Sequence, residues 1–187
     1  MNEPKSRANG WKRSAPLALA VVVLALVVGA SLRARTLQGW RGTYFPTRDL
    51  AGTPHVRRDP SVAFRWYDES PMPGFPAHDF SVRWETCLTV GDEKNLELYI
   101  GSDDGIRIRI DGKTIIDRYH LRSFTADNVP VNLAPGEHYV VVEYFNGPAE
   151  AHAVAHFQEA GFVPKPLTMD HYRLPNTSSG GGDPCGR

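Results

Sequence analysis

Three runs in the middle of the chain constrain its fold: apolar side chains alternate at Leu96, Leu98 and Ile100, at Ile106, Ile108 and Ile110, and at Val140, Val142 and Tyr144. A period of two turns one side of an extended strand to a core and the other to water. Gly, Pro, Asn and Asp fill the gaps between such runs, and no stretch beyond residue 32 keeps a sustained helical period. The expectation is an all-β domain of short antiparallel strands, a sandwich or barrel, from about Trp40 to Pro164. Asp111-Gly112, between Ile110 and Ile115-Ile116, predicts a tight hairpin turn. Phe64, Trp66, Phe80 and Trp84 lie in strand-like runs and are expected in the core.

The N-terminal region has a different composition. Residues 1–13 carry Lys5, Arg7, Lys12 and Arg13 against Glu3, and Ser14 to Leu32 holds no charge. A spanning helix takes about 20 apolar residues, so 14–32 reads as a signal-anchor transmembrane helix behind a basic cytoplasmic segment. The alternative is a cleaved secretory signal, because Val28-Gly29-Ala30 offers small residues for processing. Arg33, Arg35 and Arg41 follow the helix almost as densely as cations precede it, so the charge count does not orient it. In either case the remainder is expected on the far side of the membrane; with the anchor retained, the chain is expected to be a single-pass protein with a linker at 33–39, its domain facing the periplasm or cell exterior, and a partly disordered tail at 165–187. Beyond residue 35 there are 15 basic and 20 acidic residues, a net charge of −5. Such a domain, lacking a basic stripe along its sequence, is a poor nucleic-acid binder.

Within this β pattern the run Ser102-Asp103-Asp104-Gly105 stands out. Adjacent carboxylates repel unless a cation lies between them, and the following Gly lets the chain turn sharply enough to point both at one place. A hard, oxygen-seeking ion such as calcium suits that arrangement. The competing reading is a polar turn between strands.

Four blocks in order resemble the PA-fourteen domain, the module shared by protective antigen, yeast flocculation adhesins and inserts in bacterial glycosidases. They are Trp40-Arg41-Gly42-Thr43-Tyr44-Phe45, Asp79-Phe80-Ser81-Val82-Arg83-Trp84, Ser102 through Lys113, and Glu143-Tyr144-Phe145-Asn146. The resemblance implies a β-sandwich of that type, which in the adhesins is a calcium-dependent lectin. In those lectins two acids joined by a cis peptide and a loop Asn hold the ion, which in turn ligates sugar hydroxyls. The matching residues here are Asp103, Asp104 and Asn146, with carbonyls of Gly147 to Glu150 as further oxygens. By ligand count such a site binds calcium weakly, at about 10⁻⁴ to 10⁻³ M. Candidate sugar contacts are Tyr119 and His120, as an aromatic face and a hydrogen-bonding ring, and Glu150 in the loop beyond Asn146.

Other residues have plainer readings. His152 and His156 share a strand face that could ligate zinc, but the core character of Ala153, Ala155 and Phe157 turns them outward. Asp117 and Glu143 could be imagined as a glycosidase pair, yet neither sits in a recognisable acid–base setting, and no enzyme activity is expected. Cys87 and Cys185 could pair in an exported protein, although Cys185 follows the linker-like run Ser178 to Gly182, which has no evident reason to dock. Asn176-Thr177-Ser178 is a sequon that matters only in a glycosylating host. The functional expectation is a membrane-tethered, calcium-assisted module for a glycan or cell-wall polysaccharide. The alternative is a structural or protein-interaction sandwich of the envelope without sugar binding.

Overall fold

The computed structural model describes residues 15–92, 95–176 and 183–186. The basic segment 1–13 and the end of the sequon lie outside them. The chain divides into two compact units, 1–37 and 38–187. The first contains the helix α1, Ala15–Thr36, whose described side chains include exposed Leu19, Leu24, Leu26 and Leu32. Among the described residues no helix is long and apolar enough to cross a membrane.

The second unit is all-β. Its strands are β1 (Trp40–Phe45), β2 (His55–Asp59), β3 (Val62–Tyr67), β4 (Ser81–Val90), β5 (Leu96–Asp103), β6 (Gly105–Ile110), β7 (Lys113–Arg118), β8 (Thr125–Pro130), β9 (Gly136–Phe145), β10 (Ala151–Glu159), β11 (Lys165–Pro166) and β12 (Tyr172–Arg173). The larger sheet runs β2-β1-β4-β9-β6-β7, with β12 also on β4; the smaller runs β11-β10-β5-β8, with β3 also on β10. Every pairing is antiparallel.

The alternation read from the sequence is what packs the two sheets together. Ile106, Ile108, Val140, Val142 and Tyr144 of the larger sheet bury with Leu98, Ile100, Ala153 and Phe157 of the smaller. Phe64 stacks on Trp66 and Trp84 at 4.9 and 5.6 Å, and Phe80 meets Trp66 edge-on at 5.4 Å, so all four aromatics belong to the core. Asp111 and Gly112 both take positive φ, 49° and 78°, as a tight hairpin between twisted strands requires.

The tail docks through a bond that the sequence left open. Cys87 and Cys185 form a disulfide with Cα atoms 5.6 Å apart. Arg173 supplies the reason for docking that composition hid: it donates to both Glu137 carboxylate oxygens at 3.0 Å and to the Cys185 carbonyl at 2.7 Å. Beyond Pro164 the chain therefore adds β12 to the larger sheet.

Candidate functional site

Asp103 ends β5 in the smaller sheet and Asp104 leads into β6 in the larger, so the acid pair sits where the chain steps between layers. Their peptide bond is cis. Gly105 is required next, because a Cβ there would come within 2.1 Å of the Phe145 ring. The Tyr144 hydroxyl donates to the Asp103 carbonyl at 2.5 Å, tying the pair to β9.

Backbone amides from two loops receive the carboxylates. Arg122 N–H and Gly147 N–H donate to the two Asp104 oxygens at 3.2 and 2.6 Å, and Phe124 N–H donates to Asp103 at 3.0 Å. Asp104 is buried, and its neighbour Asp103 is half-buried. Burial first, then the charges of Asp104 and Glu150, lift the Asp103 carboxyl above its usual range against the Phe124 N–H and the His152 charge.

Asn146 completes this end. It is fully buried; its side-chain N–H groups donate to Ala77 O at 3.2 Å and Ala149 O at 3.4 Å, while its Oδ1 is buried without a hydrogen-bond partner. A buried amide oxygen normally finds a donor, because leaving it unsatisfied costs about 1–3 kcal/mol. Its next residue, Gly147, is the one bonded to Asp104, so Asn146 and the acid pair are brought together. An oxygen-only set of two carboxylates and one amide is the donor chemistry calcium prefers, and carboxylates that each accept one or two N–H groups keep lone pairs for a metal. The residues thus fit the ion implied by the resemblance: Asp103, Asp104 and Asn146 would hold it, and it would supply positive charge between the acids and open positions for hydroxyl oxygens.

The remaining sequence-derived contacts divide. Glu150 stands near Asp103, raises its carboxyl, and pairs with Arg65 at 3.8 Å. Tyr119 instead turns onto Phe145, with centroids 4.9 Å apart, and its hydroxyl donates to Arg48 O at 3.2 Å. Burial pushes that hydroxyl up to about 12. His120 is exposed in the same loop. The carbonyls after Asn146 are partly engaged: Gly147 O accepts from Asp79 N–H at 3.2 Å, and Ala149 O lies 3.2 Å from His78 Nδ1.

Sequence reasoning missed Arg122 and Phe124, which act through their backbone, and did not foresee that His152, read only for zinc, stacks its ring on Phe124 at 4.2 Å. His156 stacks on Tyr99 at 5.0 Å. Each histidine therefore has an aromatic partner, and among the described residues no group of three His, Cys, Asp or Glu side chains is gathered as a metal site. Glu143 lies beneath Arg83, Arg107 and Arg109, which donate to it at 2.5–3.1 Å. Burial alone would raise its carboxyl, but those hydrogen bonds and charges override this and hold it below the ordinary value, the wrong direction for a general acid.

The PA14 domain profile matches residues 37–161, and the chain belongs to that family. It is 29% identical over 116 residues to the anti-sigma-I factor RsgI3 of Acetivibrio thermocellus, a match spanning 62% of this chain and 18% of that protein. An anti-sigma factor domain-containing protein from Clostridium clariflavum superposes with a TM-score of 0.64 at 26% identity, over 72% of this chain and 46% of the other. The PA14 sugar-binding domain from an RTX adhesin superposes with a TM-score of 0.54 at 13% identity, over 73% of this chain and 98% of the other, a likeness of fold. The chain spans less than half of each anti-sigma relative.

Proposed function

We propose that residues 38–187 form an extracytoplasmic carbohydrate-binding module, assisted by calcium and tethered to a membrane through α1. The carrying observation is the buried Asn146 Oδ1, an acceptor without a donor, on the residue whose chain neighbour Gly147 bonds Asp104, one of two adjacent carboxylates that repel each other. An ion ligated by all three removes the repulsion and satisfies the amide oxygen, then presents its open positions to vicinal sugar hydroxyls. Glu150, His78 and His152 border this end and are the side chains through which sugar selectivity would act; His120 is a further candidate at its margin. The module binds without turning its ligand over. The exposed apolar side chains along α1 support the anchor, because such a surface is stable in lipid and costly in water.

The test is a glycan array probed with the full chain in calcium and again in a chelator. Binding lost on chelation, and lost in Asp104→Asn and Asn146→Ala, supports the reading; binding indifferent to all three overturns the calcium role. A second reading, a protein-interaction module, takes support from the anti-sigma factor names of two relatives. It predicts an empty array and a melting curve unmoved by calcium.

A further inference from the structure

The outer face of the larger sheet carries a second constellation, remote in kind from the acid pair. Arg83, Glu143, Arg107 and Asp117 stand in register across β4, β9, β6 and β7. The Glu143 side chain is only 3% exposed, whereas the arginine side chains over it are 39%, 25% and 33% exposed for Arg83, Arg107 and Arg109. Water therefore meets three cations above one covered carboxylate. Asp117, 3.9 Å from Arg107, offsets only one of the two surplus charges. Each guanidinium has five N–H donors, and Glu143 takes five hydrogen bonds from all three together, so most donors remain for another acceptor.

The adjacent row extends this face. Arg58, Arg41, Glu85, Val141 and Arg109 are in register across β2, β1, β4, β9 and β6, four strand spacings or roughly 19 Å at about 4.8 Å each. At its far end a cleft of about 280 Å³ is lined by Arg41, Val56, Arg57, Arg58, Leu174 and Pro175. It combines an apolar wall with guanidinium groups, the pairing of surfaces that a carboxylated sugar ring presents in complement.

We propose that this face binds an acidic polysaccharide, its sugar carboxylates meeting the guanidiniums over Glu143 and one of its rings entering the cleft beside Arg41. Guanidinium matches carboxylate geometry through paired N–H donors, and the buried Glu143 already holds three of them in place, which lowers the ordering cost of binding. A neutral glycan would gain nothing from the surplus charge. A duplex nucleic acid keeps its bases stacked and offers no sugar ring bearing a carboxylate to the cleft beside Arg41, so it would make only the guanidinium contacts. This inference rests on the reading of the domain as a glycan binder, but it uses another face and needs no calcium.

The experiment is titration calorimetry of the full chain with polygalacturonate in excess chelator, beside its fully methyl-esterified form and duplex DNA. Expected are binding of the acid polymer that weakens with salt, none of the ester, none of DNA, and roughly tenfold loss in Arg109→Gln and in Arg58→Gln. Asp104→Asn should bind as wild type. Equal binding of acid and ester, tighter binding of DNA, or no binding at all overturns the proposal; so does binding abolished by Asp104→Asn but not by Arg109→Gln. Those failures leave the calcium-dependent array result to stand or fall by itself. Should either arginine variant lose its melting transition, the acid-against-ester comparison on wild type still decides.

Discussion

Glu143 and Asp104 are both buried carboxylates, 2% and 7% exposed, on one sandwich, yet their surroundings are opposite. Glu143 lies mid-strand in the larger sheet and receives five charged hydrogen bonds from three guanidiniums. Asp104 lies at a loop-lined end with a second acid beside it, and its donors are two neutral backbone amides. Among the described residues no Lys or Arg side chain forms an ion pair with Asp103 or Asp104. The sheet supplies its own countercharge and more. The loop end does not, so the proposed external cation would act there.

The sharpest attempt to break this contrast is Glu143→Gln. Removing the shared anion leaves three guanidiniums crowded on one face, and breaking a buried ionic cluster costs about 3–5 kcal/mol, with the lower figure apt here because the guanidiniums reach water. For a domain of this size that is a fall in Tm of roughly 6–12 °C. Asp104→Asn in calcium-free buffer relieves repulsion and should cost far less. Chemical denaturation of the two variants compares them directly; equal losses would erase the distinction.

Calcium is the next largest effect. At about 100 times Kd it should stabilise wild type by roughly 2.7 kcal/mol, and Glu143→Gln should retain that increment while Asp104→Asn loses it. Calorimetric melting with calcium and with chelator measures both, and magnesium should do less because it demands a tighter octahedral shell.

Gly147→Ala probes the loop end alone. Its Cβ would lie 2.7 Å from Asp104 Oδ2 and 2.8 Å from Leu121 Cδ2, while the Gly147 N–H holds that same oxygen in place. Overpacking of this kind costs about 1–3 kcal/mol, and the displaced carboxylate should weaken the calcium response as well. A variant with wild-type stability and calcium response would show the loop to be loosely packed.

The smallest effect is in pH dependence, and the two regions carry opposite signs. Glu143 is held below the ordinary carboxylate value, so its contribution is present above that range and is lost as pH falls through the depressed folded value. Asp103 is raised, so its contribution favours the fold at low pH and is lost as pH rises through the raised value. Glu143→Gln should therefore flatten the acid limb of a stability–pH curve. Asp103→Asn should raise stability near neutrality without calcium, and the calcium increment should grow with pH.

Local pattern carried much of this molecule. Period-two alternation sufficed for β5, β6 and β9 and for which side of each is buried, Asp111-Gly112 for a hairpin, and the Asp103-Asp104-Gly105 run for the candidate acid pair, whereas Asn146 entered only through the family resemblance. These were legible because strand pleat, turn angles and like-charge repulsion act between near neighbours in the chain. Tertiary structure alone decided what surrounds them. The N–H donors of Arg122 and Phe124 have no residue signature, since every non-proline residue owns one, and the packing of the Tyr119 ring on Phe145 is set by which strands and loops meet. Arg83 and Arg107 reach Glu143 from 60 and 36 residues away, and Cys185 reaches Cys87 across 98, because strand order and register set those meetings. Side-chain types are written along the chain, whereas neutralised charge, an orphaned amide oxygen and a docked tail are properties of which strands lie side by side.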